Sequence, residues 1–136
     1  EHLQDVSQVV DLLREKGVTQ GSQHTKDYRP WGWFESLVNA PGYQVKRLNV
    51  YPGAALSLQS HRHRAEHWVV VHGHATVVRD DDVLLLATNQ SIYIEKGQKH
   101  RLANDRDDNL IVIEVQTGDY LGEDDITRYE DVYQRP

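Results

Sequence analysis

The 136-residue sequence contains no cysteine, which removes disulfides, thiolate metal ligands and cysteine nucleophiles together and suits a reducing compartment. Any metal must then be held by histidine, carboxylate or amide groups. Methionine is also absent and the first residue is Glu1, so we expect a trimmed protein or a fragment. No apolar run approaches the roughly 18 to 20 residues of a membrane span, and no basic-then-apolar leader opens the chain. A soluble, cytoplasmic protein with no membrane partner is the expectation. Positive charge is in short supply: 15 Lys and Arg stand against 21 Asp and Glu, a net charge of -6. That sign excludes a generic nucleic-acid binder, and an anionic substrate would need a locally basic pocket.

What is present divides into two textures. Asp5 followed by Gln8 resembles a capping box, and Val6, Val9, Val10 and Leu13 follow at helical spacing until Gly17. The pattern predicts one amphipathic helix over residues 6–16. Residues 17–27 are polar and unpatterned, so residues 1–27 read as a helix and linker arm, and 28–136 as a single folded domain. From Gln44 onward the chain is short β-type runs broken by turn residues, among them QVKRLNV, EHWVVV, SIYI and NLIVIEVQ. Turn signals about every 8 to 12 residues point to an antiparallel sandwich or barrel, with no helix over residues 40–118. The acidic, aromatic tail after Thr117 is expected to be a short helix or an extended arm packed on the barrel.

The densest chemistry is QSHRHRAEHW, Gln59 to Trp68, with three histidines, a glutamate and a glutamine in ten residues. In a strand, alternate side chains share a face, so Gln59, His61 and His63 would point one way, while Glu66 and His67 would point oppositely. One of the last two should therefore be off any metal.

Glycines bracket this cluster, and the bracketing carries a resemblance. Gly53, five residues, Gln59-x-His61, four residues, Glu66, six residues and Gly73 resemble the first cupin motif, with Gln in place of its first His. Gly97, two residues, His100, three residues and Asn104 resemble the second. The resemblance implies an all-β cupin, a double-stranded β-helix or jelly-roll barrel, with a divalent metal held by Gln59, His61, Glu66 and His100. Pairing His61 with His63 instead breaks the spacing on both sides. His63 then becomes a pocket-wall residue, and His67 faces away. Two imidazoles, a carboxylate and an amide oxygen suit zinc or another borderline divalent ion; two His and a carboxylate also suit iron, so ligand type does not choose the metal. Departures from the cupin pattern are Glu95 where Pro is usual and Asn89 where Gly is usual.

RPWGWF (29–34), YQVKRLNVYPG (43–53), LSLQSHRHRAEHWVVVHGHATV (56–77), HRLAN (100–104), IEVQTGDYLGEDDI (113–126) and RYEDVY (128–133) further resemble the C-terminal domain of type II mannose-6-phosphate isomerases. Those domains are commonly fused to a mannose-1-phosphate guanylyltransferase, and the helix at 6–16 matches the segment that links the two. The resemblance implies a metal-assisted isomerase acting on a phosphorylated hexose, with an upstream nucleotidyltransferase domain in the same polypeptide; no Gly-rich nucleotide loop occurs in this chain. It leaves two competitors, a non-catalytic sugar-phosphate-binding or dimerising cupin and an iron-dependent oxygenase. A homodimer is expected from strand-edge pairing.

Isomerisation needs a base at C2 and fixed positive charge for the enediolate. Lys46 shares a strand face with Leu48 and Val50, where an interior lysine is costly unless paired or used, and is our first choice for the base. Glu114, His63 and the Glu123–Asp124–Asp125 run remain open for that role. Arg101, beside His100, is expected to hold phosphate through bidentate hydrogen bonds, helped by Arg29, Arg64 and His63 around the substrate. Each arginine could equally form a surface ion pair. Trp31 and Trp33 are expected to pack structurally rather than stack on sugar.

Overall fold

A computed structural model describes residues 25–130, which form eleven β-strands and no helix. One sheet runs in the order β1 (Lys26–Arg29), β2 (Gly32–Ala40), β3 (Tyr43–Val50), β10 (Leu110–Gly118), β5 (Arg64–His72), β8 (Ser91–Ile94). The other runs β11 (Thr127–Glu130), β4 (Leu58–Ser60), β9 (His100–Ala103), β6 (Ala75–Arg79), β7 (Asp82–Leu86). Among the described residues every strand pair is antiparallel. The helix expected over residues 6–16 lies outside the described residues. No described helix is long and apolar enough to cross a membrane.

Period-two alternation sorts the six-stranded sheet into two apolar faces. Phe34, Leu48, Val50, Trp68, Val70, Leu110 and Val112 pack inward with Ala75, Val77 and Leu102 of the opposite sheet. Val45, Val69 and Ile113, each one residue out of phase, gather in a second buried cluster with Leu37, Val38, Val71 and Val115. Lys46 lies on the inward face with Leu48, as its strand position implies.

The motif residues without ligand chemistry shape the turns. Gly73 has φ 94°, and a Cβ there would sit 2.9 Å from the Asn109 carbonyl oxygen, so both conformation and space demand glycine. Asn89, standing where glycine is usual, adopts φ 76°; asparagine is among the residues that best tolerate this region. Buried Asn104 donates to the carbonyls of Val50 and Asp108, at 3.0 and 2.8 Å, and accepts from the Arg106 N–H. It thereby ties the β9–β10 loop to the end of β3.

The described part of the tail, residues 118–130, holds no helix. After Gly118 it leaves the six-stranded sheet and joins the five-stranded one as β11, pairing with β4 so that Arg128 stands opposite Gln59.

Candidate metal centre

Three strands from two sheets deliver the central group. His61 follows β4, Glu66 lies on β5, and His100 opens β9 directly opposite Gln59 of β4. One ligand atom from each of His61, Glu66 and His100 falls within 4.8 Å of the others, and all three residues are buried. His61 Nε2 lies 3.4 Å from Glu66 Oε2, and His100 Nε2 lies 3.7 Å from Glu66 Oε1.

Hydrogen bonding fixes the imidazoles. His61 Nδ1 meets the Asp125 carbonyl at 2.6 Å, and His100 Nδ1 meets the Gln98 carbonyl at 2.9 Å. A carbonyl only accepts, so both Nδ1 atoms carry the proton. Burial, then the Arg64 guanidinium, hold His61 down at about 4, and burial also lowers His100. Both rings are thus neutral near pH 7, with Nε2 lone pairs turned toward a carboxylate. At His61 the Arg64 Nη2 already meets that lone pair, at 3.1 Å, while the His100 lone pair facing Glu66 Oε1 is a repulsive arrangement that a cation resolves, and backbone-anchored imidazoles are the usual setting of metal-ligating histidine. The donor set therefore fits a divalent ion. Gln59 lines the same cavity; its Nε2 donates to the carbonyl and hydroxyl of Ser57, at 3.3 and 3.2 Å, so the ligand atom it has to offer is Oε1.

A cavity of about 150 Å³ opens between the sheets beside this group. Arg29, Lys46, Arg64, Arg101 and Arg128 line it, against the carboxylates of Glu66, Glu114 and Glu123. An acidic chain has placed a surplus of cations in one pocket, as an anionic ligand would require.

Glu114 is the most perturbed acid in it. Burial first, and the Glu66 carboxylate second, push it up to about 7. Trp68 Nε1 bridges the two carboxylates, donating to Glu66 Oε1 at 3.1 Å and Glu114 Oε2 at 3.0 Å, while Gln116 Nε2 donates to Glu114 Oε1 at 2.7 Å. Lys46 stands directly across the ladder from Glu114, with its Nζ 4.8 Å above the Phe34 ring.

The structure thus brings Lys46, Gln59, Arg64, Glu66, His100, Arg101, Glu114 and Arg29 to one cavity, with His61 behind its wall. His63 is placed elsewhere. Its side chain is half exposed, edge-on to Tyr120 at 5.9 Å and 4.0 Å from Asp119, and it does not line the cavity. The expected pocket-wall role is corrected by the turn after β4: Asp125 accepts the N–H groups of Arg62 and His63, at 2.9 Å each, and holds this segment in a bend where strand alternation no longer applies. Glu66 faces inward while His67 packs on Tyr93 with ring centroids 4.5 Å apart.

Sequence reasoning missed four participants. Asp125 was one member of an acidic run, with nothing in the run to mark it as the anchor of His61. Arg128 entered only as part of the tail. Trp68 and Gln116 occupy inward strand positions, where alternation from Glu66 and Glu114 was the available signal. Trp31 packs in the core as expected and also lines the cavity.

Comparison with known proteins supplies a family. The model of the family "Mannose-6-phosphate isomerase C-terminal" matches residues 16–131. The chain is 53% identical over 135 residues to the xanthan biosynthesis protein XanB of Xanthomonas campestris pv. campestris, covering 99% of this chain and 29% of that protein. It is 48% identical over 133 residues to a mannose-1-phosphate guanylyltransferase of Escherichia coli, covering 98% of this chain and 28% of that protein. The chain spans less than a third of the length of these relatives. Among solved structures, Bacillus subtilis oxalate decarboxylase aligns with a TM-score of 0.70 at 16% identity, over 79% of this chain and 30% of that one. The Schizosaccharomyces pombe Cnp3 cupin domain aligns with a TM-score of 0.65 at 12% identity, over 70% and 69%. These structural likenesses establish a cupin fold.

Proposed function

The chain belongs to the mannose-6-phosphate isomerase C-terminal family, and on that premise we propose that its cavity interconverts mannose 6-phosphate and fructose 6-phosphate. One observation carries the reading: a buried carboxyl held near neutrality, Glu114, stands beside a His–Glu–His group in a cation-lined cavity. Proton abstraction next to a carbonyl calls for a group of this kind, able both to take and to return a proton near pH 7.

In the proposed reaction Glu114 takes the proton from C2 of the open-chain aldose and delivers it to C1, while a proton passes from O2 to O1. The base is thus reassigned from Lys46 to Glu114. Lys46, across the ladder, favours the ionised form of Glu114 and offsets negative charge developing on the enediolate. Arg29, Arg101 and Arg128 receive the phosphate. His61, Glu66, His100 and Gln59 Oε1 would hold a divalent ion, for which we propose zinc, and it would supply Lewis-acid polarisation of the sugar oxygens when bound. Trp31, Phe34, Leu48 and Leu56 provide the apolar walls that limit water at the reacting carbons.

We further propose that the chain acts within a longer polypeptide carrying mannose-1-phosphate guanylyltransferase activity, feeding GDP-mannose and polysaccharide synthesis. The names of the XanB and Escherichia coli relatives support this placement. The test is conversion of mannose 6-phosphate to fructose 6-phosphate by the zinc-reconstituted chain. A chain that binds zinc and mannose 6-phosphate without turnover would instead be a sugar-phosphate-binding cupin.

A further inference from the structure

Arg64 occupies the position where the metal ligands should be open. Its Nε donates to Glu66 Oε2 at 2.9 Å and its Nη2 reaches His61 Nε2 at 3.1 Å. The residue is buried, at 9% exposure, and lines the cavity. Two of the three buried ligand residues therefore already engage a cation of the chain itself.

Counting lone pairs makes the consequence strict. A neutral imidazole has one acceptor nitrogen, and because Nδ1 donates to the Asp125 carbonyl, that acceptor is Nε2. Arg64 Nη2 can only donate, so it uses this single lone pair. A metal bound to His61 needs the same lone pair, and the two cannot share it. Glu66 Oε2 differs, since a carboxylate oxygen can accept from Arg64 Nε and serve a metal together.

From this atom count we infer that Arg64 is a latch coupling metal loading to anion binding: metal expels its Nη2 from His61 and turns that donor toward the anionic group of the substrate. The guanidinium can pivot about its retained Nε–Glu66 contact, which leaves one edge of the planar fork directed at the cavity. The released donor joins Arg29, Arg101 and Arg128, where bidentate capture of phosphate becomes available. Linkage makes the coupling reciprocal: an anion that holds Arg64 away from His61 tightens metal binding by the same factor.

The inference rests on the metal reading given above, and the experiment separates the two. Zinc affinity is measured by competition with a chromophoric chelator for the wild-type chain and for Arg64→Leu, with and without sorbitol 6-phosphate, which carries the phosphate but no carbonyl to isomerise. Without the sugar phosphate, Arg64→Leu should bind zinc about tenfold more tightly than wild type. Sorbitol 6-phosphate should tighten zinc binding in wild type, and that enhancement should shrink about tenfold in the variant. Equal or weaker zinc binding by a folded Arg64→Leu, or an undiminished enhancement, overturns the latch. Failure of both proteins to bind zinc overturns the metal reading as well. Should the variant not fold, ¹⁵N-arginine spectra of the wild type decide: the Arg64 side-chain signals should shift on zinc addition and again with sorbitol 6-phosphate, and Arg64 signals indifferent to zinc reject the inference.

Discussion

Trp68 holds Glu66 and Glu114 on one indole N–H, yet the two carboxylates have different tasks. Glu66 faces the imidazoles, and Glu114 faces Lys46 across the ladder. Glu114→Gln keeps the shape and the Trp68 hydrogen bond but cannot carry a proton. We predict retained zinc and turnover reduced about 10²- to 10⁴-fold, the range for loss of a general acid–base group; turnover within a few-fold of wild type removes Glu114 from the reaction. His61→Ala and His100→Ala should lose zinc, whereas His63→Ala should retain it, as metal analysis of the purified variants will report. The metal-free chain also has a pH signature. Glu114 is raised from 4.5 to about 7, so it takes up protons on folding; its contribution is complete below pH 4.5 and is lost as pH rises through about 7. His61 is lowered from 6.5 to about 4, so its contribution is complete above pH 6.5 and is lost as pH falls toward 4. The two contributions oppose each other between pH 4.5 and 6.5, so urea midpoints should change little there in the wild type, whereas in Glu114→Gln they should rise from about pH 4 to 6.5. Equal slopes in the two proteins between pH 4.5 and 7 contradict the assignment.

At the scale of elements, the site is an assembly of strand ends fastened by a bend. Asp125 ties the tail to the N–H groups of Arg62 and His63 through its carboxylate and to His61 through its carbonyl. Asp125→Ala should loosen this bend, lower zinc affinity about 10- to 100-fold in the manner of lost outer-shell support, and leave the barrel folded. Zinc affinity unchanged in that variant would show that the bend holds without its carboxylate. The contrast between Glu66 and His63 shows what a sequence can and cannot convey here. Glu66 lies inside the long strand β5, where period-two alternation governs direction and the reading of Glu66 inward, His67 outward follows. His63 lies just after the three-residue strand β4, where direction is set by Asp125, more than sixty residues away. Gly53, Gly73 and Gly97 were legible because their φ values of 75°, 94° and 82° impose a residue type. The Asp125 anchor imposes no such type on its neighbours, so the acidic run concealed it. Likewise β2 was not marked out as a strand, because its run GWFESLVNA lacks strict apolar–polar alternation.

In the molecule as a whole, a net charge of -6 coexists with a cation-lined interior cavity, and a candidate metal-binding group with a carboxyl raised to about 7, within one barrel. The separate parts could each occur in a binding domain; together they predict chemistry at C2. The most direct test follows mannose 6-phosphate by proton NMR in D₂O with the zinc-reconstituted chain and the Glu114→Gln variant. Formation of fructose 6-phosphate is expected with solvent deuterium entering at C1 of that product and, on reversal, at C2 of mannose 6-phosphate, abolished by zinc removal and strongly slowed in the variant. Zinc-loaded protein that binds the sugar phosphate but yields neither product nor deuterium incorporation would contradict it.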